Sequence, residues 1–180
     1  RAGWIFVSHY HDEHYRHDPA FYADRGVLAK DPQRMVSGTQ AERARQFWLE
    51  TESRARLDSA DGRCVETPDC ILTASPPLPH GAEMSGLGYV VALTVTDRRS
   101  GRRFVHASDV QGPLSPVAAA YLARERPSLL YLSGAPAYLE HRLGHALIEQ
   151  GVEHLLRIID RTGCRVIMDH HAVRKADYRE

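Results

Sequence analysis

The sequence predicts an α/β (α+β) fold in which mixed strands carry helices on their outer faces, an αββα sandwich or its greater part. Three observations carry this reading. Strand and helix signals alternate along 180 residues without repeats or low-complexity tracts. Several apolar runs end in turns bearing His or Asp, which brings polar side chains from separate strands to one sheet edge. The third is the segment Ser8-His9-Tyr10-His11-Asp12-Glu13-His14, directly after the apolar run Trp4-Ile5-Phe6-Val7.

Taken in order, Trp4 to Val7 is a strand feeding that polar turn. Thr39 to Leu57 places Ala41, Ala44, Phe47, Trp48 and Ala55 among charges, an amphipathic helix with Ser37 or Thr39 as N-cap and Arg43 and Arg45 on its solvated face. Asp61-Gly62 marks a turn, and Cys70 to Ala74 reads as a strand. Leu87 to Thr96 and Arg102 to Ala107 flank Asp97-Arg98-Arg99-Ser100-Gly101 as a hairpin. Its first strand is almost wholly apolar, so both faces should be covered. Ser115-Pro116 opens a helix running through Arg126, with Pro in the first turn where its missing N–H costs nothing. Ser128 to Ser133 is another buried strand. Leu147, Ile148, Val152, Leu155, Leu156 and Ile159 recur at helical spacing within Leu143 to Thr162, and Gly163 closes that helix. Arg165 to Met168 is the last strand and runs into Asp169-His170-His171.

Composition bounds the function. A chain of 180 residues suits one domain, 1–180, with a sizeable core. Lys plus Arg equals Asp plus Glu at 23 each, so no bulk charge points to nucleic acid or a membrane; histidine, at 11, is the outlier. The longest apolar runs fall far short of the ~20 residues that span a bilayer, and no charged-then-apolar leader is visible. Cys64, Cys70 and Cys164 lack Cys-x-x-Cys spacing, which fits free thiols in a reducing compartment and a cytoplasmic protein.

Extended backbone after Val7 puts His9 and His11 on one side and Tyr10 on the other, so two imidazoles can reach one ion at about 2.0–2.1 Å. Glu13 and His14, where the chain turns away, could hold a second ion about 3.5–4 Å from the first. A solitary histidine in a polar turn is ordinarily just solvated. Three at this spacing, with further strand ends delivering His80, Asp109, His170 and His171, favour a metal centre. By contrast His141-Arg142-Leu143-Gly144-His145 has Arg142 where a zinc-peptidase motif needs its Glu, and reads as a helix start with solvated histidines. Gly86-Leu87-Gly88 is a turn into a strand, and His106 and His154 are read as structural.

The blocks Ser8-His9-Tyr10-His11, Pro79-His80-Gly81-Ala82-Glu83, Leu87-Gly88-Tyr89-Val90, His106-Ala107-Ser108-Asp109-Val110-Gln111-Gly112-Pro113 and Asp169-His170-His171 span nearly the whole chain. They resemble the metallo-β-lactamase superfamily, whose pattern is His-x-His-x-Asp-His, then a lone His, a lone Asp and a final His. Within it they are most similar to an uncharacterised, largely archaeal branch of predicted metal-dependent hydrolases. The resemblance implies a metallo-β-lactamase-like αββα sandwich, with His9, His11 and His80 on one metal and Asp109 bridging to a second held by Glu13, His14 and His170. His171 is expected to pack or hydrogen-bond behind His170. Glu13 stands where the superfamily has Asp, and Asp12 is the alternative. Members normally place several strands before the first motif, so the chain is expected to lack an N-terminal segment, leaving a sheet edge open to that segment or to a second copy.

The implied function is a metal-dependent hydrolase in which hydroxide bridging two divalent ions, zinc first and manganese or iron as alternatives, attacks an ester, phosphoester or related bond. Asp109, Glu13 and Asp12 are the expected catalytic carboxylates, the last two as proton shuttles. A small-molecule substrate is favoured over nucleic acid. The rival readings are a nuclease or phosphodiesterase, for which Arg98, Arg99, Arg102 and Arg103 form the one basic cluster, and a non-catalytic metal-binding module.

Overall fold

A computed structural model describes residues 2–172 and 174. In chain order the elements are β1 (Trp4–Val7), β2 (Gly26–Ala29), α1 (Gly38–Thr51), β3 (Arg56–Ser59), β4 (Cys64–Glu66), β5 (Cys70–Ala74), β6 (Leu78–Pro79), β7 (Tyr89–Val90), β8 (Leu93–Asp97), β9 (Arg103–Ala107), α2 (Pro116–Glu125), β10 (Leu129–Ser133), α3 (Glu140–Leu143), α4 (His145–Thr162) and β11 (Arg165–Asp169). Strands β1, β2 and β3 form a parallel sheet in that order, with Val7 opposite Ala29 and Ala29 opposite Ser59. A six-stranded sheet has the order β11-β10-β9-β8-β5-β4. Its strands β9, β10 and β11 are parallel, and Ser133 lies opposite Asp169. Because parallel strands end at the same edge, the residues after Val7, Ala107 and Asp169 leave the two sheets as neighbouring loops.

Strand alternation sorts the apolar residues into layers. Val7, Val27 and Ala29 face α1, where they pack with Ala44 and Phe47. The alternate residues Trp4, Phe6 and Leu28 face the other way, onto Leu72, Ala74 and Leu93 of the larger sheet and Val91 just before β8. On that sheet's outer face, Val105, Ala107, Leu130 and Leu132 meet Ala118, Tyr121 and Leu122 of α2 and Ile158 of α4. The result is the four-layer αββα arrangement. Each fully buried Leu or Val contributes roughly 1.5–3 kcal/mol relative to an exposed one. Gly26 permits the close inter-strand fit, since a Cβ there would lie 2.5 Å from the Trp4 ring.

Caps set the helix ends. Ser37 accepts the Gln40 N–H, Ser115 accepts those of Val117 and Ala118, and Gly163 at φ 66° ends α4. Three expected boundaries shift. Helix α1 stops at Thr51, because Arg56 to Ser59 pairs with β2 instead of extending the helix. Helix α4 begins at His145, with Gly144 at φ 85° separating it from α3. The apolar run from Leu87 divides, Tyr89–Val90 pairing with β6 and Leu93–Asp97 with β5 and β9.

Beyond β2, the Lys30 side chain is fully buried and its ammonium donates to Asp61 Oδ2 at 2.8 Å and to the Arg34 carbonyl. Burial draws this amine below the ordinary lysine value, although Asp61 opposes the shift. Asp61 also accepts the Asp31 N–H at 3.0 Å. Removing one partner of such a pair strands a buried charge, so Asp61→Ala should lower the unfolding free energy by about 3–5 kcal/mol. Urea denaturation of the two proteins measures it; a loss under ~1 kcal/mol would contradict the assignment of a tight buried pair.

Candidate metal centre

At the sheet edge the loops converge on Asp109. Its carboxylate is 2% exposed. Five imidazoles surround it: His171 Nε2 at 3.0 Å and His170 Nε2 at 3.3 Å from Oδ1, His80 Nε2 at 3.6 Å from the same oxygen, and His14 Nε2 at 3.1 Å and His9 Nε2 at 3.7 Å from Oδ2. Three groups have ligand atoms within 4.8 Å of one another and could hold a metal ion: His9, His11 and His80; His9, His14 and Asp109; and Asp109, His170 and His171. The rings of His9 and His11 lie 4.8 Å apart, and that of His80 lies 5.2 and 4.8 Å from them. Tyr10 points away as alternation requires, into the α1 core between Tyr15 and Phe47.

The surrounding hydrogen bonds fix how these groups point. Ser8 Oγ holds His9 Nδ1 at 2.8 Å, Asp169 Oδ1 holds His170 Nδ1 at 2.6 Å and the Tyr138 hydroxyl holds His171 Nδ1 at 2.8 Å, leaving each Nε2 toward Asp109. A partner on one ring nitrogen sets the other nitrogen's role, as at metal-ligating histidines. Asp109 sits at φ 62°; its N–H donates to Ser133 Oγ at 3.0 Å, and Ser108 Oγ donates to its Oδ2 at 2.8 Å. The Gly81 N–H donates to the Asp109 carbonyl at 3.1 Å, joining the His80 and Asp109 loops. Gly81 is required there: φ is 74°, and a Cβ would fall 2.2 Å from Gln111 Oε1.

Burial pushes His9, His11 and His14 below the ordinary imidazole value, against the attraction of Asp109. Burial alone would raise Asp109, but the hydrogen bond from His171 and the nearby His80, His9 and His14 hold it well below the carboxylate range. Buried His9 Nε2, His14 Nε2 and His80 Nδ1 make no hydrogen bond. Two unpartnered nitrogens facing one carboxylate, with a third on the adjoining His80 ring, are costly unless something else satisfies them, and imidazoles beside a carboxylate are the donor set that a divalent ion such as zinc takes. The residues therefore fit a metal.

Two expected members stand apart. Glu13 and Asp12 are exposed on the 3-10 turn Asp12–His14, and neither belongs to any of the three groups. Asp12 instead meets Arg43 of α1 at 2.8 Å and His17 at 4.0 Å. His171, expected behind His170, reaches Asp109 itself. His106 stacks on Tyr131 at 5.2 Å, His154 bonds the Pro113 carbonyl at 3.0 Å, and His145 lies between Glu140 and Glu149 in solvent. The Arg102–Arg103 end of β9 is the end away from Asp109, and Arg98 pairs with Glu66.

No family model matches the chain. The UPF0282 protein of Pyrococcus abyssi is 34% identical over 194 residues, covering 99% of this chain and 61% of that protein. Those of Methanocaldococcus jannaschii and Methanopyrus kandleri are 32% and 35% identical, covering 100% and 99% of this chain and 65% of each relative. Its relatives are archaeal UPF0282 proteins. The chain spans a little under two thirds of their length, and their name states no activity. Among solved structures, a mutant of CmlA β-hydroxylase matches with a TM-score of 0.51 at 14% identity, over 91% of this chain and 35% of that one. The chain has the metallo-β-lactamase fold. Among its described residues no helix is long and apolar enough to cross a membrane.

In the metal-free folded protein the buried rings of His9, His11 and His14 stay neutral at pH values where the unfolded chain is already protonated. The unfolded state then binds more protons, so stability is full above about 6.5 and falls as pH drops below it. The urea midpoint of metal-free protein should be lower at pH 5.5 than at pH 7.5. An equal or higher midpoint at pH 5.5 would contradict neutral buried imidazoles.

Proposed function

We propose that the chain carries the centre of a two-metal hydrolase acting on an ester, phosphoester or related bond of a small molecule. The observation that carries this reading is the ring of imidazoles gathered around one buried carboxylate, three of them with an unpartnered buried nitrogen. His9, His11 and His80 would hold one ion, His14 and His170 with His171 the other, and Asp109 lies between the two groups. Two divalent ions, zinc first given the imidazole-rich set, supply an acidified water as nucleophile and offset charge developing on the substrate.

The residues themselves do the rest. Asp109, fixed by Ser108 and Ser133, would offset the mutual repulsion of two cations held on either side of it. Glu13 is exposed beside His14, and its turn N–H holds its carboxyl below the usual value, so it is ionised at neutral pH and open to a proton from the substrate side. Asp12, tied to Arg43, is less available for that role. A nucleic-acid substrate would call for a basic track near the centre. The arginine hairpin lies at the other end of β9. Two groups sharing one carboxylate also differ from the closed four-ligand sphere of a structural zinc site.

Metal analysis of the purified protein, zinc titration and a panel of phosphodiester, ester, thioester and lactam substrates test this. About two ions per chain are expected. His9→Ala or His80→Ala should release bound metal, and Asp109→Asn should cut turnover far more than Glu13→Gln, by about 10-fold or more. Should Asp109→Asn keep two tightly bound ions and full turnover, the two-metal assignment is wrong.

A further inference from the structure

Helix α1 contributes no metal-binding group, yet its inner face grips the first histidine loop. Gln40, in its first turn, is 1% exposed. Its Oε1 accepts the Tyr10 N–H at 3.2 Å and its Nε2 donates to the Leu87 carbonyl at 2.8 Å. Tyr10 is the residue between His9 and His11. Leu87 precedes Gly88, whose carbonyl accepts the His80 N–H at 3.0 Å. One amide therefore joins the backbone between two members of the first group to the loop that holds the third. One turn further on, Arg43 donates to the Tyr10 carbonyl at 3.4 Å and to Asp12 at 2.8 Å, so both backbone groups of Tyr10 are taken by side chains of α1. The Tyr10 hydroxyl accepts from Trp48 Nε1 at 2.7 Å and donates to the Lys30 carbonyl, which anchors the residue from its other end.

Resting on the reading that His9, His11 and His80 hold an ion, we infer that Gln40 is a positioning residue that sets the spacing of these three ligands through Tyr10 and Leu87. An amide is the side chain for this task, because it offers an acceptor and a donor at once. Glutamate at neutral pH keeps the acceptor and loses the donor. Methionine, of similar length, loses both. Without the bridge, the Tyr10 N–H and the Leu87 carbonyl are left to find other partners, and each loop relaxes separately. Ligand-orienting groups of this kind alter metal affinity when removed, by about 10–100-fold.

The test is stepwise cobalt binding by metal-free protein, read by visible absorption, with zinc competition against a chromogenic chelator, in the wild type and in Gln40→Met, Gln40→Glu and Leu49→Gly. Leu49 is an exposed residue of α1 away from both loops. Glycine there loosens the helix and controls for simple destabilisation. Both Gln40 variants should bind one ion about 10-fold or more weakly, with an altered absorption band for that ion, while Leu49→Gly lowers the thermal midpoint and leaves affinity and band unchanged. Unchanged affinity and spectrum in Gln40→Met would overturn the inference, as would an equal loss in Leu49→Gly. A wild type that binds no metal would instead overturn the underlying metal assignment. If neither Gln40 variant folds, the wild-type protein decides: the Gln40 side-chain amide should be protected from hydrogen exchange and its resonance should move with the first equivalent of zinc. A freely exchanging or unmoved signal counts against the bridge.

Discussion

The structure is arranged around one buried carboxylate. An ionised Asp109 in the interior is tolerable only where polar groups face it: its carboxylate bonds the Ser108 hydroxyl and His171 and is ringed by four further imidazoles, while Ser133 and the Gly81 N–H hold its backbone. No single element could deliver that many groups. They come from the ends of β1, β9 and β11 and from the loop after β6, so both sheets must stack with their strand ends in register. The αββα core, the caps of α1 and α2 and the Gly26 contact are the means by which those ends are held together.

Such an arrangement also explains why so many histidines stay neutral and incompletely bonded. Packing the imidazoles of His9, His11 and His14 out of water lowers their proton affinity, and the buried Nε2 atoms of His9 and His14 are left without a hydrogen bond beside Asp109. Side-chain hydrogen bonds behind them, from Ser8, Asp169 and Tyr138, restrict the rings to one orientation. The fold alone would not say what this site does. A β-hydroxylase shares the architecture at a TM-score of 0.51, so activity must be argued from the residues present.

Much of this was legible in the sequence where local signals were strong. Ser37 and Ser115 as caps, Gly163 as a stop, and the hairpin around Asp97 to Gly101 follow from chemistry within a few residues. Strand β2 escaped, since Gly26-Val27-Leu28-Ala29 is too short for periodicity to speak, and β3 hid in the tail of an apparently longer helix. That the histidines and Asp109 would converge was readable because each stands after an apolar strand. The exposed placement of Glu13 and Asp12 was not. Their register with His14 suggested a ligand, but the 3-10 turn rotates both carboxylates outward, where Arg43 from a distant helix captures Asp12. The roles of Gln40 and His171 depend on tertiary contacts to Leu87 and Asp109 that no local pattern encodes.

The central claim is that two cations flank Asp109. Crystals grown with zinc and measured on both sides of its absorption edge would show it most directly. The account predicts two anomalous peaks about 3.5–4 Å apart, one among His9, His11 and His80 and one beside His14 and His170 or His171, with Asp109 reaching both. A single peak distant from Asp109, or none at full zinc loading, would contradict it.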